Sequence, residues 1–252
     1  MISPFFLCWG AKANDTVVVE LKTRGNVNLP FLFSKNPNPI AVLLLFEGGP
    51  GMPSFPFQQR SGFMTKSLKI FVKHGFNVIL LQAPDDQRDF RGGMHPNYRE
   101  TKEHLMDVEK IISWVEAHID LPLWLLGISL GTRSVANVAI KTTKKIKGIV
   151  LLSSSTNPPK QTKSVQNFGL ELLKIPVLTI AHNNDICPGT PPLGAKIIIE
   201  KAVSSKKAVA RIFFGGKQVG LNPCRPMTHH TFFGIEKKVV AVIAKFIKEQ
   251  TK

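Results

Sequence analysis

A chain of 252 residues that is 43% hydrophobic and 20% charged can bury a sizeable core, which excludes an intrinsically disordered segment. No run approaches the roughly eighteen consecutive apolar residues that a membrane-spanning helix requires. The formal net charge of +16 favours contact with acidic surfaces such as nucleic acid or anionic lipid, yet its cations are scattered. The densest groups (Lys141, Lys144, Lys145, Lys147; Lys201, Lys206, Lys207; Lys237, Lys238) fall at helix ends and on exposed helix faces. With no RNP motif, no zinc-ligand spacing and a single Tyr to stack bases, this reads as a solvated basic surface and not as a dedicated nucleic-acid site.

The first residues carry a short apolar run, Pro4 to Trp9, followed by Ala11-Lys12-Ala13, which has the small-x-small form of a leader cleavage site. No positive charge precedes the run. Removing residues 1–13 as a signal segment removes Cys8 and leaves an even pair, Cys187 and Cys224, suited to one disulfide in an oxidising compartment. The expectation is an exported or periplasmic protein; the alternative is a cytoplasmic chain whose first residues pack on the sheet.

Thr16 to Leu21 is rich in β-branched residues and predicts a strand. A turn at Thr23-Arg24-Gly25-Asn26 leads to a second strand, Val27 to Phe33, which Pro30 places near a sheet edge. Ile40 to Phe46 is continuously apolar, as in a parallel strand buried on both faces. It runs into Glu47-Gly48-Gly49-Pro50-Gly51, too rich in Gly and Pro for regular structure. Arg60 to His74 has a helical apolar period stopped by Gly75, and Phe76 to Leu81 is another buried strand. Tyr98 to Ile119 predicts one long amphipathic helix with Leu105, Val108, Ile111, Ile112 and Val115 inward.

Leu123 to Leu126 then runs into Gly127-Ile128-Ser129-Leu130-Gly131, with a helix from Arg133 to Thr142. Strands follow at Lys147 to Leu152, Ile175 to Ala181 and Ala208 to Phe214. Residues 156–174 form a weakly patterned link, and helices are predicted at Leu193 to Val203 and Glu236 to Lys248. Strands alternating with helices predict a mostly parallel twisted sheet of about eight strands with helices on both faces. The first two strands form an antiparallel edge on it. Without repeats or a low-complexity linker, residues 14–252 read as a single domain.

Gly-x-Ser-x-Gly alone is a weak signal, because roughly one random chain of this length in ten contains it. Between a buried strand and a helix it gains weight, since that context lifts a Ser hydroxyl above the sheet edge and aims a helix N-terminus at it. The hydroxyl is a poor nucleophile until a base takes its proton and an acid orients the base. Asp185, just past a buried strand, and His229-His230, past the last strand, follow Ser129 in the order acid then base.

The competitors are weaker. His182 is only three residues from Asp185 on the same strand end, while His74 and His118 sit at helix ends and His95 and His104 read as surface or loop groups. Asp85 and Asp86 precede the Ser. Of the adjacent pair His230 is preferred, with His229 kept as the alternative. An oxyanion hole needs two backbone N–H donors; Leu130 supplies one, and the Gly48-Gly49 loop the other. No P-loop, dinucleotide fingerprint or His-x-x-x-His metal pattern occurs, so the economical reading is catalysis with no cofactor and no metal.

Taken together, GISLGTRSVANVA, FEGGPG, HNNDICP and HHTFFGIEKKVV resemble the nucleophile elbow, oxyanion loop, acid loop and histidine turn of the α/β-hydrolase superfamily. The resemblance spans nearly the whole chain, with four separated motifs in order. It implies Ser129 as nucleophile, Asp185 as acid and His230 as base. Two departures stand out. Glu47 precedes Gly48 where many members carry His, and the link before Ile175 is too short for a large lid, which argues against lipase-type interfacial activation.

If Asp185 and His230 meet, Cys187 and Cys224 come near enough to bridge, tying the acid loop to the base loop. The implied activity is cleavage of an ester or related acyl bond of a small substrate. The competing reading is a non-catalytic binding protein that uses the basic surface to hold an acidic polymer or membrane. Phe55, Phe57, Phe232 and Phe233 either line an apolar acyl pocket or fill the core.

Overall fold

The structure is a computed structural model that describes residues 16–51, 62–89, 93–158 and 162–251. The leader expectation for residues 1–13, with Cys8, and the pocket expectation for Phe55 and Phe57 lie outside the described residues.

Eight strands form one sheet: β1 (Thr16–Lys22), β2 (Asn28–Ser34), β3 (Ala41–Phe46), β4 (Phe76–Leu81), β5 (Leu123–Ile128), β6 (Gly148–Leu152), β7 (Val177–His182) and β8 (Ala208–Phe213). Their spatial order is β1-β2-β4-β3-β5-β6-β7-β8. β1 pairs antiparallel with β2 and β2 antiparallel with β4; every other neighbouring pair is parallel. The antiparallel edge expected from the short first turn is therefore present, although Pro30 stands one strand in from the edge, opposite Glu20 of β1.

The continuous apolar runs of β3 to β7 are explained by helices on both faces. Successive side chains of a strand alternate sides. Leu43 and Leu45 of β3 accordingly pack with Leu68 and Phe71 of α1 (Phe63–Lys73) and Val240 and Ile243 of α5 (Glu236–Thr251). Val42, Leu44 and Phe46 pack on the other side with Val108 and Ile112 of α2 (Lys102–His118) and Val135 of α3 (Gly131–Lys141). Ile198 of α4 (Gly194–Lys201) completes that layer. Among the described residues no helix is long and apolar enough to cross a membrane.

One element departs from its sequence expectation. The stretch read as a single helix from Tyr98 is a 3-10 turn, Pro96–Glu100, followed by a break at Thr101, whose side chain accepts the His104 N–H and caps α2. Apolar periodicity does not register the break, because Tyr98 is buried on the same side as the helix behind it. The break gives Tyr98 and Arg99 their own direction: the Tyr98 hydroxyl donates to Asp107, which also accepts from Arg24 Nη2 at 2.9 Å and Thr23 Oγ1 at 2.8 Å.

His104, expected at the surface, is 1% exposed, with its ring against Tyr98 and Phe46 at 5.0 and 6.2 Å and no partner for Nε2. Burial, reinforced by Arg99 and Arg24, lowers its pKa to about 3. In the unfolded chain the imidazole titrates near about 6.5. Between these values the unfolded state binds the extra proton, so stability falls as the pH drops from about 6.5 towards 3, by up to about 1.4 kcal/mol per pH unit from this one group. His104→Phe is expected to leave stability near pH 7 within about 1 kcal/mol and to flatten the acid limb of a urea-denaturation series between pH 6.5 and 4. An unchanged slope would mean that His104 is charged in the folded protein.

Candidate active site

β5 ends at Ile128, and the chain turns sharply at Ser129, whose φ of 53° lies in the left-handed region, before entering α3 at Gly131. The turn is held by backbone hydrogen bonds: the Ser129 N–H donates to Leu152 O of β6 at 3.0 Å, and Ser129 O accepts the Thr132 N–H at 3.0 Å. The flanking glycines are dictated by crowding. A Cβ on Gly131 would stand 2.2 Å from Phe46 O, and one on Gly127 2.5 Å from Gly131 O. Ser129 itself is half-buried, at the carboxyl end of the sheet.

The loop after β3 lies against this turn, since a Cβ on Gly48 would be 3.1 Å from Ser129 Cβ. The Glu47 side chain turns towards α1. Its buried carboxylate accepts the Thr65 N–H and Thr65 Oγ1 at 3.0 Å each, and so caps the N-terminus of α1 from outside the helix. It also accepts the N–H of Gly48 at 3.1 Å. Burial raises the Glu47 pKa, against which these hydrogen bonds pull downward. Of the two loop donors expected from sequence, Gly48 is thus occupied. The N–H groups of Gly49 and Leu130 have no acceptor among the described residues.

Asp185 follows β7 and His230 follows β8, and they meet: His230 Nδ1 lies 2.9 Å from Asp185 Oδ2, with both residues buried. The carboxylate also accepts the Cys187 N–H on Oδ1 at 2.9 Å and Thr190 Oγ1 on Oδ2 at 3.0 Å. Thr190 Oγ1 is also 3.0 Å from His230 Nδ1. With Nδ1 facing a carboxylate, the proton belongs there and Nε2 carries the free lone pair. Ser153, directly after β6, donates from Oγ to His230 O at 2.9 Å. Leu152 holds Ser129 and the next residue holds His230, so the serine and histidine loops flank one strand end.

The competing residues are engaged elsewhere. His182 donates from Nε2 to Gly215 O at 2.7 Å and accepts the Asn184 N–H on Nδ1 at 3.1 Å, which leaves no nitrogen free. Burial lowers its pKa, consistent with a neutral ring. His229 stacks on that ring, centroids 4.5 Å apart and planes 9° from parallel. Asp85 accepts the Asn28 N–H, and Asp86 pairs with Arg24 at 2.6 Å. Phe232 is fully buried against Phe63 and Phe213, whereas Phe233 is half-exposed beneath Lys66. Cys187 and Cys224 form a disulfide.

Three residues around this geometry were not singled out from sequence: Arg99, Ser153 and Thr190; Glu47 was noted only as a departure, without its capping role. Only the position of Ser153, at the end of a buried strand in a run of three serines, could have drawn notice.

Comparison with known proteins agrees with the architecture. The chain superposes on an esterase of Pyrococcus furiosus, Pf2001, with a TM-score of 0.67 at 14% identity, covering 95% of this chain and 92% of that one. It superposes on a dienelactone hydrolase from Anabaena variabilis with a TM-score of 0.65 at 13% identity, covering 94% and 99%. A cold-adapted esterase from an Arctic intertidal metagenomic library gives 0.62 at 14% identity, covering 95% of each chain. At such identities the likeness is one of fold. No curated protein matches the sequence. The family model described as alpha/beta hydrolase fold matches residues 41–173, just over half of the chain, which takes in β3 to the segment after β6, including Gly49, Ser129 and Leu130. The chain belongs to the alpha/beta hydrolase fold family.

Proposed function

We propose that this protein is a serine hydrolase that cleaves an ester or related acyl bond of a small substrate, through one domain spanning residues 14–252. The observation that carries the reading is the buried 2.9 Å pair of His230 Nδ1 and Asp185 Oδ2, set beside the strand-turn-helix of Ser129. Ser129 Oγ attacks the acyl carbon as His230 Nε2 takes the hydroxyl proton. Asp185 orients the ring and stabilises the imidazolium that forms. Negative charge on the former carbonyl oxygen falls to the Leu130 and Gly49 N–H groups. The imidazolium then protonates the departing alkoxide, leaving acyl-Ser129. Water, deprotonated by the same His230, releases the acid.

Ser129 stands at the carboxyl end of β5, so the substrate is reached from that end of the sheet. Open clefts of about 500 and 610 Å³ are lined by residues such as Gly169, Val203, Ile40 and Gly75, which precede β7, β8, β3 and β4, and so lie at the other end. Thioesters and peptides share this machinery, so leaving-group preference is a matter of the pocket walls. The Cys187–Cys224 disulfide supports export to an oxidising compartment.

Fluorophosphonate labelling with mass mapping of the modified residue tests the proposal, followed by an ester chain-length series to define the acyl group. Modification at Ser129 is expected. A protein that resists labelling and instead binds anionic lipid or nucleic acid in a salt-sensitive manner would favour the binding role.

A further inference from the structure

Arg99 takes no part in the proton transfers above, yet it is 1% exposed and lies under the loop that carries Gly49. Its Nη2 donates to the carbonyls of Glu47 and Gly49, at 3.1 Å each, and its Nη1 donates to Ser134 Oγ of α3 at 2.9 Å. We propose that Arg99 is a positioning residue of the oxyanion hole, whose guanidinium clamps the Gly48-Gly49 loop to α3 and so fixes the Gly49 N–H relative to the Leu130 N–H. This rests on the serine-hydrolase reading of the site.

A peptide unit is planar, so fixing its carbonyl fixes the N–H across the bond. The Gly49 N–H belongs to the Gly48–Gly49 peptide, whose carbonyl accepts the Gly51 N–H at 3.0 Å. Arg99 holds the peptide units on either side of it, through Glu47 O and Gly49 O. The loop folds closely over the guanidinium: a Cβ on Gly51, whose φ is +67°, would stand 2.8 Å from Arg99 Nη2. The remaining arm of the fork reaches Ser134, one turn into the helix whose start presents Leu130. One rigid planar group therefore spans both halves of the hole, which a single ammonium cannot do.

Packing alone gives no reason for a cation here. Burying a guanidinium is costly, and an apolar side chain of similar size would fill the volume at least as well. The cost is visible: Arg99 Nε has no partner, and burial, with Arg133 nearby and Glu47 opposing, lowers the pKa to about 10. The group stays charged at neutral pH, and its hydrogen bonds at the loop and at α3 are what that charge accomplishes.

The test compares a p-nitrophenyl ester with its thionoester, in which C=S replaces C=O. Sulfur accepts hydrogen bonds poorly, so the ratio of the two kcat/KM values reads the oxyanion hole. A partly unfolded or globally loosened enzyme loses both rates together and leaves the ratio unchanged. Complete fluorophosphonate titration first counts sites labelled at Ser129; failure there in the unmodified protein overturns the serine-hydrolase reading itself, separately from the role of Arg99. Given labelling, Arg99→Met and Arg99→Lys are expected to lower kcat by tenfold or more with KM within about threefold, and to lower the oxo-to-thiono ratio by about tenfold. Ser134→Ala, which removes only the tie to α3, is expected to lower the ratio about threefold and covers the case in which Arg99→Met does not fold. A ratio within twofold of the unmodified enzyme in Arg99→Lys and Ser134→Ala, with full Ser129 titration, would overturn the proposal.

Discussion

Ser129→Ala is expected to lower turnover of short p-nitrophenyl esters by roughly a millionfold, to the level that the remaining donors and binding contacts sustain. The expected size follows from the way the three groups act as a unit. In the proposed mechanism, loss of Oγ leaves no acyl-enzyme and gives the buried His230–Asp185 pair no hydroxyl proton to take. Alanine and serine tolerate the left-handed φ of 53° about equally, and the backbone bonds of the turn do not use Oγ. The melting temperature is therefore expected to stay within a few degrees, so that lost turnover is not lost fold. Asp185→Asn is expected to cost less, about 10⁴-fold, because the ring remains but its tautomer is no longer enforced. Turnover by Ser129→Ala within tenfold of the unmodified enzyme would remove Ser129 from the mechanism.

Loss of the Cys187–Cys224 disulfide is expected to be the largest single stability effect. The bridge joins residues separated by 37 positions, and closing a loop of that length is worth about 3–4 kcal/mol in the chain-entropy account. For a chain of this size that corresponds to a fall in Tm of roughly 10 °C for Cys187→Ala/Cys224→Ala. Activity should fall as well, for a local reason: the Cys187 N–H is one of the donors that hold Asp185, and the bridge ties that backbone to the loop leading to His230. Thermal melts and ester kinetics, with and without reductant, measure both. A reduced protein with unchanged Tm and unchanged kcat would show that the loops keep their places without the bridge.

Much of the architecture was legible in the sequence because it depends on local pattern. Five buried parallel strands announce themselves as apolar runs, since a strand covered on both faces has no polar side to alternate with. Gly131 stands where the backbone at the end of β3 passes within contact distance, and Gly127 where the backbone of Gly131 does, so only residues without a side chain fit at either position. The order of Ser129, Asp185 and His230, each following a strand, is also a property of the chain itself.

Tertiary structure decided what depends on contacts between distant segments. Periodicity continued through Thr101, and only the capping bond of its side chain ends one element and begins α2. His229 and His230 are neighbours of the same type, and packing separates them: one stacks on His182, the other turns its Nδ1 to Asp185. Gly48 and Gly49 both stood as loop donors in the sequence, and the fold separates them: the Glu47 carboxylate, engaged in capping α1, takes the N–H of Gly48. Arg99, Ser153 and Thr190 carry no motif, because each acts through a hydrogen bond to a segment far away or to a neighbour's side chain. Local pattern is written in spacing along one element, and so the sequence by itself determined the strands, the turn at Ser129 and the order of Ser129, Asp185 and His230 along the chain. Which N–H groups remain free and which ring faces the carboxylate depend on distances of about 3 Å between separate elements, and only the folded chain sets those.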